Sequence, residues 1–187
     1  RAVIAVSEPH DRTVMAALPP LVLASRVARR LPPAKRVFVL APRKTPTESL
    51  YVTAPLERIA AETGLTIRRI DTTRQGSIDL FLRSNPRTTD TVIVVRYLSA
   101  SWLAALLRMP QRPRLVYLID DDLPSVVDTL GLPSGYRRRM LEVARFDFEL
   151  LVNACDHLLV SSTGLAQRYA SPKTVMMEPC FVRPPKD

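Results

Sequence analysis

Glycine is scarce in this sequence, with five residues among 187, and the glycine-rich phosphate-binding motifs are missing. No Gly-x-Gly-x-x-Gly follows the first apolar run, and no Walker lysine motif occurs anywhere. The Gly-x-Ser-x-Gly nucleophile elbow is absent as well. These absences argue against a dinucleotide-dependent dehydrogenase, a P-loop NTPase and an ordinary α/β-hydrolase.

Metal ligands, disulfide patterns and long apolar runs are also missing. The two cysteines, Cys155 and Cys180, have no metal or disulfide spacing, and only two histidines exist. No apolar run approaches the roughly 20 residues of a transmembrane helix, and the apolar start is too short for a signal peptide. We therefore expect a soluble cytoplasmic protein with reduced thiols and no metal cofactor.

Positive charge is in excess. Lysine and arginine number 27 against 18 acids, which gives a formal net charge of +9. The basic residues are scattered, whereas a nucleic-acid groove needs a basic stripe with stacking aromatics, so the pattern disfavours nucleic acid as a partner. Attraction to anionic lipid head groups at the inner face of the membrane, or to an acidic acceptor, explains the charge equally well.

Short apolar runs alternate with helical patterns along the chain. The runs cover residues 2–6, 36–41, 65–70, 91–95, 115–119, 156–161 and 174–177. This alternation predicts an α/β fold, a Rossmann-like, doubly wound, mainly parallel sheet of about seven strands with helices on both faces. The length predicts a single domain over residues 1–187.

Position in the sheet can be predicted for several runs. The β-branched run 91–95 and the apolar run 115–119 should be central, and the alternating run 65–70 should be an edge. We expect the first run, 2–6, to lie between 36–41 and 91–95, so that a crevice opens at the switch point of the sheet. Residues 42–49 are predicted to be a loop.

Three adjacent acids, Asp120, Asp121 and Asp122, end the run 115–119. The carboxyl edge of an open α/β sheet is where ligands bind, so these acids are either part of a site or solvated groups that begin a turn. Arg96 and Tyr97 end the neighbouring run. The guanidinium can pair with a ligand carboxylate or phosphate, or form a salt bridge with Asp121 or Asp122.

Two further groups of polar residues follow apolar runs. His10 in the first loop could orient or deprotonate an acceptor hydroxyl, or be a bystander. Ser161, Ser162 and Thr163 precede a short helix, where a hydroxyl can cap free amides or face a ligand.

Two blocks resemble the N-terminal half of bacterial GT-B glycosyltransferases. They are Leu115-Val-Tyr-Leu-Ile-Asp-Asp-Asp-Leu123 and Ala154-Cys-Asp-His-Leu-Leu-Val-Ser-Ser-Thr-Gly-Leu-Ala166, followed by a strand that reaches Glu178-Pro179. The second block is similar to the superfamily pattern Ala-Asp-x-Val-x-Val-Ser-Thr-x-x-Leu-Ala. Cys180 stands about where that superfamily has an asparagine, which departs from the pattern. The similarity covers the last third well and the rest only as a Rossmann-like alternation.

The resemblance implies transfer of a sugar from a nucleotide-sugar to a glycan, lipid or cell-envelope polysaccharide. GT-B enzymes bind the donor mainly on a second domain, which is absent from this sequence, so we expect an acceptor-side half that is inactive alone and needs a donor-binding C-terminal domain as partner. The donor is a co-substrate, and no cofactor is implied. The loops after residues 6, 95 and 160 should line the cleft. We assign catalysis to His10, Asp121 and Asp122, and substrate binding to Ser7, Arg96, Tyr97, Ser162 and Thr163.

Two alternatives remain open. Asp120 to Asp122 could be the metal-binding Asp-x-Asp of a GT-A glycosyltransferase, in which two carboxylates hold Mg²⁺ or Mn²⁺ against a diphosphate. The chain could also be a non-catalytic module that binds an acidic partner.

Overall fold

One all-parallel sheet of six strands organises the part of the chain that the structure describes. The computed structural model describes residues 36–42, 45–122, 124–125, 131–142 and 148–180. The strands are β1 (Arg36–Ala41), β2 (Thr66–Asp71), β3 (Thr91–Val95), β4 (Arg114–Ile119), β5 (His157–Val160) and β6 (Thr174–Met176). They pair in the order β2-β1-β3-β4-β5-β6. The predicted α/β, Rossmann-like, doubly wound fold class is confirmed.

Helical segments connect the strands. They are α1 (Pro46–Glu48), a π-helical turn (Ser49–Thr53), α2 (Ala54–Thr63), α3 (Ser77–Arg83), α4 (Ala100–Leu107), α5 (Ser134–Glu142), α6 (Phe148–Ala154) and α7 (Thr163–Arg168). α2 ends at Gly64, whose φ of 70° is a left-handed conformation that glycine adopts without strain. Within the described ranges, none of these helices is both long and apolar enough to cross a membrane.

The strand side chains fill two hydrophobic clusters, one on each face of the sheet. All five residues of β3 are buried, so the prediction of a central strand at 91–95 is confirmed. The larger cluster joins strand residues such as Phe38 and Tyr117 to α3, α4, α6 and α7. The smaller cluster joins the alternate strand residues, Val37 and Leu118 among them, to Val52 of the π-helical turn. Helical segments therefore lie against both faces.

The position predicted for the first apolar run is wrong. β1 and β3 pair directly, with Val37 opposite Thr91 and Leu40 opposite Val94. Because β1 and β3 are hydrogen-bonded to each other, no further strand fits between them. β2 is bonded to the other side of β1. The run 2–6 itself lies outside the described residues. The chain goes outward from β1 to β2, which is at the edge among the described strands, as predicted, and returns to β3. The switch point therefore lies between β1 and β3.

The loop predicted at 42–49 is partly helical. Thr45 is the N-cap of α1, and its Oγ1 accepts a hydrogen bond from the Glu48 amide at 3.2 Å. Pro46 occupies the first turn, where its missing N–H costs nothing. Glu48 is buried, and its carboxylate accepts bonds of 2.5 and 3.0 Å from Arg69 of β2. These contacts fix α1 above the carboxyl edge of the sheet.

A buried ion pair joins β1 to β3 at the opposite, amino edge. The Asp90 carboxylate accepts hydrogen bonds from Arg36 Nε at 3.2 Å and from Arg36 Nη2 at 2.6 Å. The Arg87 amide donates a third bond to it at 2.8 Å. Burial alone would raise the pKa of Asp90, but the hydrogen bonds and the charge of Arg36 outweigh burial and lower that pKa below its ordinary value.

Replacing Asp90 with Asn is expected to lower the free energy of unfolding by about 3 kcal/mol at neutral pH, because Arg36 loses its buried counter-charge. A carboxyl whose pKa is lowered by folding stabilises the protein above its unfolded pKa, and this stability is lost as pH falls through the folded pKa. Urea unfolding should therefore give a lower free energy of unfolding for Asp90→Asn than for the wild type at neutral pH. In strong acid the two values should be similar. The control is Asp79→Asn on exposed α3, with an expected change of about 0.5 kcal/mol. Equal losses of unfolding free energy in Asp90→Asn and Asp79→Asn would contradict the stabilising role given to the ion pair between Arg36 and Asp90.

Candidate functional site

Arg96 stands at the carboxyl end of β3, beside the switch point, in a strained backbone conformation. Its φ is 69°, in the left-handed region that non-glycine residues rarely adopt. The Arg96 amide donates to the Leu118 carbonyl at 3.2 Å, and the Tyr117 hydroxyl donates to the Arg96 carbonyl at 2.6 Å. Such strain persists only where surrounding bonds hold it, and it is concentrated at functional sites.

Tyr117 is the anchor of this arrangement. Its side chain is fully buried in the larger hydrophobic cluster on one face of the sheet. Its hydroxyl contacts Arg96 at the end of the neighbouring strand β3. Burial, followed by the nearby negative charge of groups such as Asp120, raises the pKa of Tyr117 well above its ordinary value. The hydroxyl therefore stays protonated and donates to the Arg96 carbonyl at every physiological pH.

The Arg96 guanidinium lies between two of the three aspartates. It forms an ion pair with Asp121, and its Nε lies 3.5 Å from Asp120 Oδ1. The Asp120 side chain is 14% exposed and also accepts a hydrogen bond from Thr47 Oγ1 in α1. The Asp121 side chain is 51% exposed. Asp120 is thus held by protein groups on several sides, whereas Asp121 offers a carboxylate oxygen to solvent.

Asp122 has a different environment. Tyr169 donates its hydroxyl to Asp122 Oδ1 at 2.8 Å, Ser125 donates to Oδ2, and Arg168 forms an ion pair with the same carboxylate. Burial and the Asp122 hydrogen bond raise the pKa of Tyr169 to about 12. The structure therefore separates the two predicted catalytic acids: Asp121 faces the switch-point side with Arg96, and Asp122 is bonded to the end of α7.

The serine turn after β5 serves mainly the backbone. Ser162 is the N-cap of α7, and its Oγ accepts a hydrogen bond from the Leu165 amide at 3.3 Å. Ser161 donates its hydroxyl to the Asp120 carbonyl at 3.1 Å, which ties the ends of β4 and β5 together. Thr163 is exposed in the first turn of α7. Ser162 therefore makes the capping contact, and the substrate-binding roles of Ser162 and Thr163 stay predictions.

Of the three remaining predicted site residues, the structure describes Tyr97 but not Ser7 or His10. Tyr97 is half-buried next to Arg96, and its amide donates to the Val95 carbonyl at 2.9 Å in a tight turn. Ser7 and His10 lie outside the described residues. Their predicted roles in substrate binding and proton transfer therefore stay predictions.

The segment after β6 crosses the same edge. The Met177 amide donates to the Val160 carbonyl at 2.8 Å, and the Cys180 amide donates to the Leu50 carbonyl at 2.9 Å. Because β4 and β3 lie between β5 and β1, residues 177–180 pass across the ends of those two strands. The candidate site is therefore bordered by α1 and its π-helical turn, by the turn after β5 and by this returning segment.

The sequence interpretation missed Thr47, Tyr117 and this returning segment. Thr45-Pro46-Thr47-Glu48 carried a usable signal, because Thr followed by Pro and by Glu three residues later is a helix N-terminus signature. Tyr117 had a weaker one, since a buried tyrosine hydroxyl needs a partner. The identity of that partner depends on the pairing of β3 with β4.

The described residues offer no metal-binding group at this edge, and Cys155 lies before the amino end of β5, away from it. Among the described residues, no three acidic, histidine or cysteine side chains form a group that could hold a metal ion. Cys155 is buried in the larger cluster, and burial raises the pKa of its thiol. A protonated thiol is a weak nucleophile, so Cys155 is a packing residue.

Comparisons with known proteins do not assign this chain to a family. No protein-family model matches the chain, and no curated protein sequence matches it. Among solved structures, the chain is similar to the ydeN gene product from B. subtilis, with 12% sequence identity and a TM-score of 0.45. That match covers 78% of this chain and 86% of the other. Similarity at this level supports no functional assignment.

Proposed function

We propose that this chain is the acceptor-side domain of a GT-B-type glycosyltransferase, which moves a sugar from a nucleotide-sugar to a glycan, lipid or polysaccharide acceptor. The observation that carries the proposal is the pair formed by Arg96 and Asp121. It joins a strained arginine to a half-exposed carboxylate at the carboxyl edge beside the switch point. The choice of sugar transfer as the reaction rests on the motif resemblance of residues 115–123 and 154–166.

The chemistry assigned to the pair follows from its exposure. Asp121 offers an oxygen that can accept a hydrogen bond, and then the proton, from an acceptor hydroxyl as that hydroxyl attacks the anomeric carbon. The nucleoside diphosphate leaves as the new glycosidic bond forms. Arg96 holds the carboxylate in place, and a guanidinium has five N–H donors, so unused donors can face the developing charge of the leaving group.

The donor is proposed to bind mainly on a second domain that acts together with this chain. Transfer between two substrates requires both to be held in one cleft, because most of the rate gain comes from fixing their relative position. His10 remains a candidate for the same proton transfer as Asp121. The positive charge of the chain suits an acceptor with acidic groups.

The metal-dependent GT-A alternative is less well supported by the contacts of the acids. Asp120 is bonded to Thr47 and lies near Arg96, while Asp122 is bonded to Tyr169 and paired with Arg168. A metal bridging Asp120 and Asp122 would have to displace both arginines. The alternative of a non-catalytic module for an acidic partner gives no role to the strained backbone of Arg96.

The experiment is a panel of nucleotide-sugars, with release of nucleoside diphosphate as the readout, on the protein that joins this chain to a donor-binding domain. The proposal predicts release from at least one donor that depends on an added acceptor and persists in EDTA. Release abolished by EDTA and restored by Mn²⁺ would favour the GT-A alternative. No release from any donor, with a folded protein, would contradict a transferase function.

A further inference from the structure

Two arginines of the sheet each bind a single carboxylate with the Nε and Nη2 nitrogens of one guanidinium. Arg36 donates to both oxygens of Asp90, at 3.2 Å from Nε and 2.6 Å from Nη2. Arg69 donates to both oxygens of Glu48 in the same way, at 2.5 and 3.0 Å. Two parallel bonds of this kind are the common and strong arrangement between a guanidinium and a carboxylate.

Arg96 uses the same two nitrogens differently, because it divides them between two acids. Its Nη2 donates to Asp121 Oδ2, while its Nε lies 3.5 Å from Asp120 Oδ1. That separation is longer than an ordinary N–H···O hydrogen bond, so Asp120 attracts Arg96 without a close bond to it. Asp120 therefore lies near the guanidinium but does not form the two-bond pair seen elsewhere in the sheet.

The hydroxyl of Thr47 explains this division. It donates to Asp120 Oδ2, the oxygen that a two-bond pair would present to Arg96 Nη2. The bond holds this oxygen beside α1, so that only Oδ1 stays near Arg96 and Nη2 is left for Asp121.

Thr47 itself is held at a fixed position by its neighbours in α1. Thr45 caps the helix, and the side chain of the next residue, Glu48, is buried and bound to Arg69 of β2. Glu48 is a buried charge for which the proposed reaction has no use. Its pairing with Arg69 places the hydroxyl of Thr47 over the carboxyl edge of the sheet.

We propose that Thr47 is a positioning residue for the pair formed by Arg96 and Asp121. By holding Asp120 Oδ2, its hydroxyl prevents Arg96 from closing on Asp120 and leaves Nη2 to orient the Asp121 carboxylate. Without the hydroxyl, Asp120 takes both nitrogens of Arg96, and Asp121 loses its partner. The inference rests on the proposed function, because it assigns Thr47 a part in presenting Asp121 to the acceptor hydroxyl.

NMR of the arginine side chains tests this geometry in the full chain without any substrate. Thr47→Val keeps the branched shape of the side chain and removes the hydroxyl. The Arg96 Nε–H signal, identified by its absence from Arg96→Lys, should move downfield in Thr47→Val, because Nε then donates to Asp120 at hydrogen-bond distance. Thr47→Ser restores a hydroxyl and should return the signal to its wild-type position. An unmoved signal in Thr47→Val would overturn the proposal.

Sugar transfer by the protein that joins this chain to a donor-binding domain tests the consequence. Thr47→Val should lower kcat about 10- to 100-fold and change KM less than about threefold, because small misplacements of a reacting group have costs of this size. Thr47→Ser should recover kcat to within about threefold of the wild type. In the Asp121→Asn background, Thr47→Val should lower kcat no further, since the carboxylate that it positions is already gone.

Thr63→Val is the matched control, because it removes a hydroxyl that donates to the Ile59 carbonyl at 2.7 Å on the exposed helix α2. Its kcat should stay within about twofold of the wild type, and both valine variants should unfold at similar temperatures. An unchanged kcat in Thr47→Val, or an equal loss of kcat in Thr63→Val, would overturn the positioning role. An inactive wild type would contradict the proposed function alone, and the NMR comparison would still decide whether Thr47 divides the nitrogens of Arg96.

Discussion

Replacing Asp121 with Asn is expected to lower sugar transfer by about 100- to 1,000-fold, the range that a positioned acid or base contributes. Asn keeps the size of the side chain and one oxygen, but it cannot accept the proton of the acceptor hydroxyl. The side chain of Asp121 is 51% exposed, and that of its partner Arg96 is 27% exposed. An exposed ion pair contributes at most about 1 kcal/mol, so the unfolding temperature should change little.

Asp122→Asn is the matched control, because the same change is made one residue further along. Asp122 accepts bonds from Tyr169 and Ser125 and pairs with Arg168, so its loss should cost about 1–2 kcal/mol of stability. The folded fraction should keep its transfer rate within a few fold. Nucleoside diphosphate release and thermal unfolding are measured on both variants. If Asp122→Asn loses activity and Asp121→Asn loses stability, the two acids have been assigned in reverse.

Replacing Trp102 with Ala is expected to lower the free energy of unfolding by about 4 kcal/mol, the typical cost of deleting a buried aromatic side chain. Trp102 is 1% exposed on the inner side of α4, and its ring lies 5.6 Å from the ring of Phe81. Its Nε1 also donates to the Thr72 carbonyl at 3.2 Å, in the loop after β2. The residue therefore ties α3, α4 and the edge of the sheet into one core.

Urea unfolding followed by circular dichroism measures this cost. Trp102→Phe is the control, because it keeps an aromatic ring and removes mainly the indole hydrogen bond, with an expected loss of about 1–2 kcal/mol. The difference in unfolding free energy between Trp102→Ala and Trp102→Phe separates the contribution of ring packing from that of the indole hydrogen bond. A loss below about 1 kcal/mol for Trp102→Ala would show that the larger cluster does not carry the stability of this domain.

The sheet was largely predictable because its central strands are buried on both faces. The runs at 36–41 and 91–95 have no polar interruption, and strands of this kind are recognised by composition and by bounding turns. The edge position of β2 also followed, since its charged residues Arg68 and Arg69 alternate with apolar ones. Local patterns were sufficient for these elements.

Strand order was not predictable in the same way. The pairing of β1 with β3 is a contact between residues more than fifty positions apart, and nothing in either run names its neighbour. The expected position for residues 2–6 came from the order typical of the dinucleotide-binding fold rather than from any feature of those residues. The different roles of the three aspartates depend on that order too, because the neighbours of β4 decide which partners each acid meets.

The candidate site was predicted in part. An acidic cluster at a strand end and Arg96 on the adjacent strand indicated a polar edge, and the structure brings Arg96 and Asp121 together. The left-handed conformation of Arg96 left no trace in the sequence, because the bond that its carbonyl accepts comes from Tyr117 on the next strand. The bonds that hold Asp122 to Tyr169 span 47 positions and were equally invisible.

The measurement that tests the central claim most directly compares nucleoside diphosphate release by three proteins: residues 1–187 alone, the donor-binding domain alone, and the two joined. The acceptor-side assignment predicts acceptor-dependent release only when the two are joined, and loss of that release in the joined Asp121→Asn variant. Turnover by residues 1–187 alone would contradict it. Undiminished turnover by the joined Asp121→Asn variant would contradict the role given to the Arg96 and Asp121 pair.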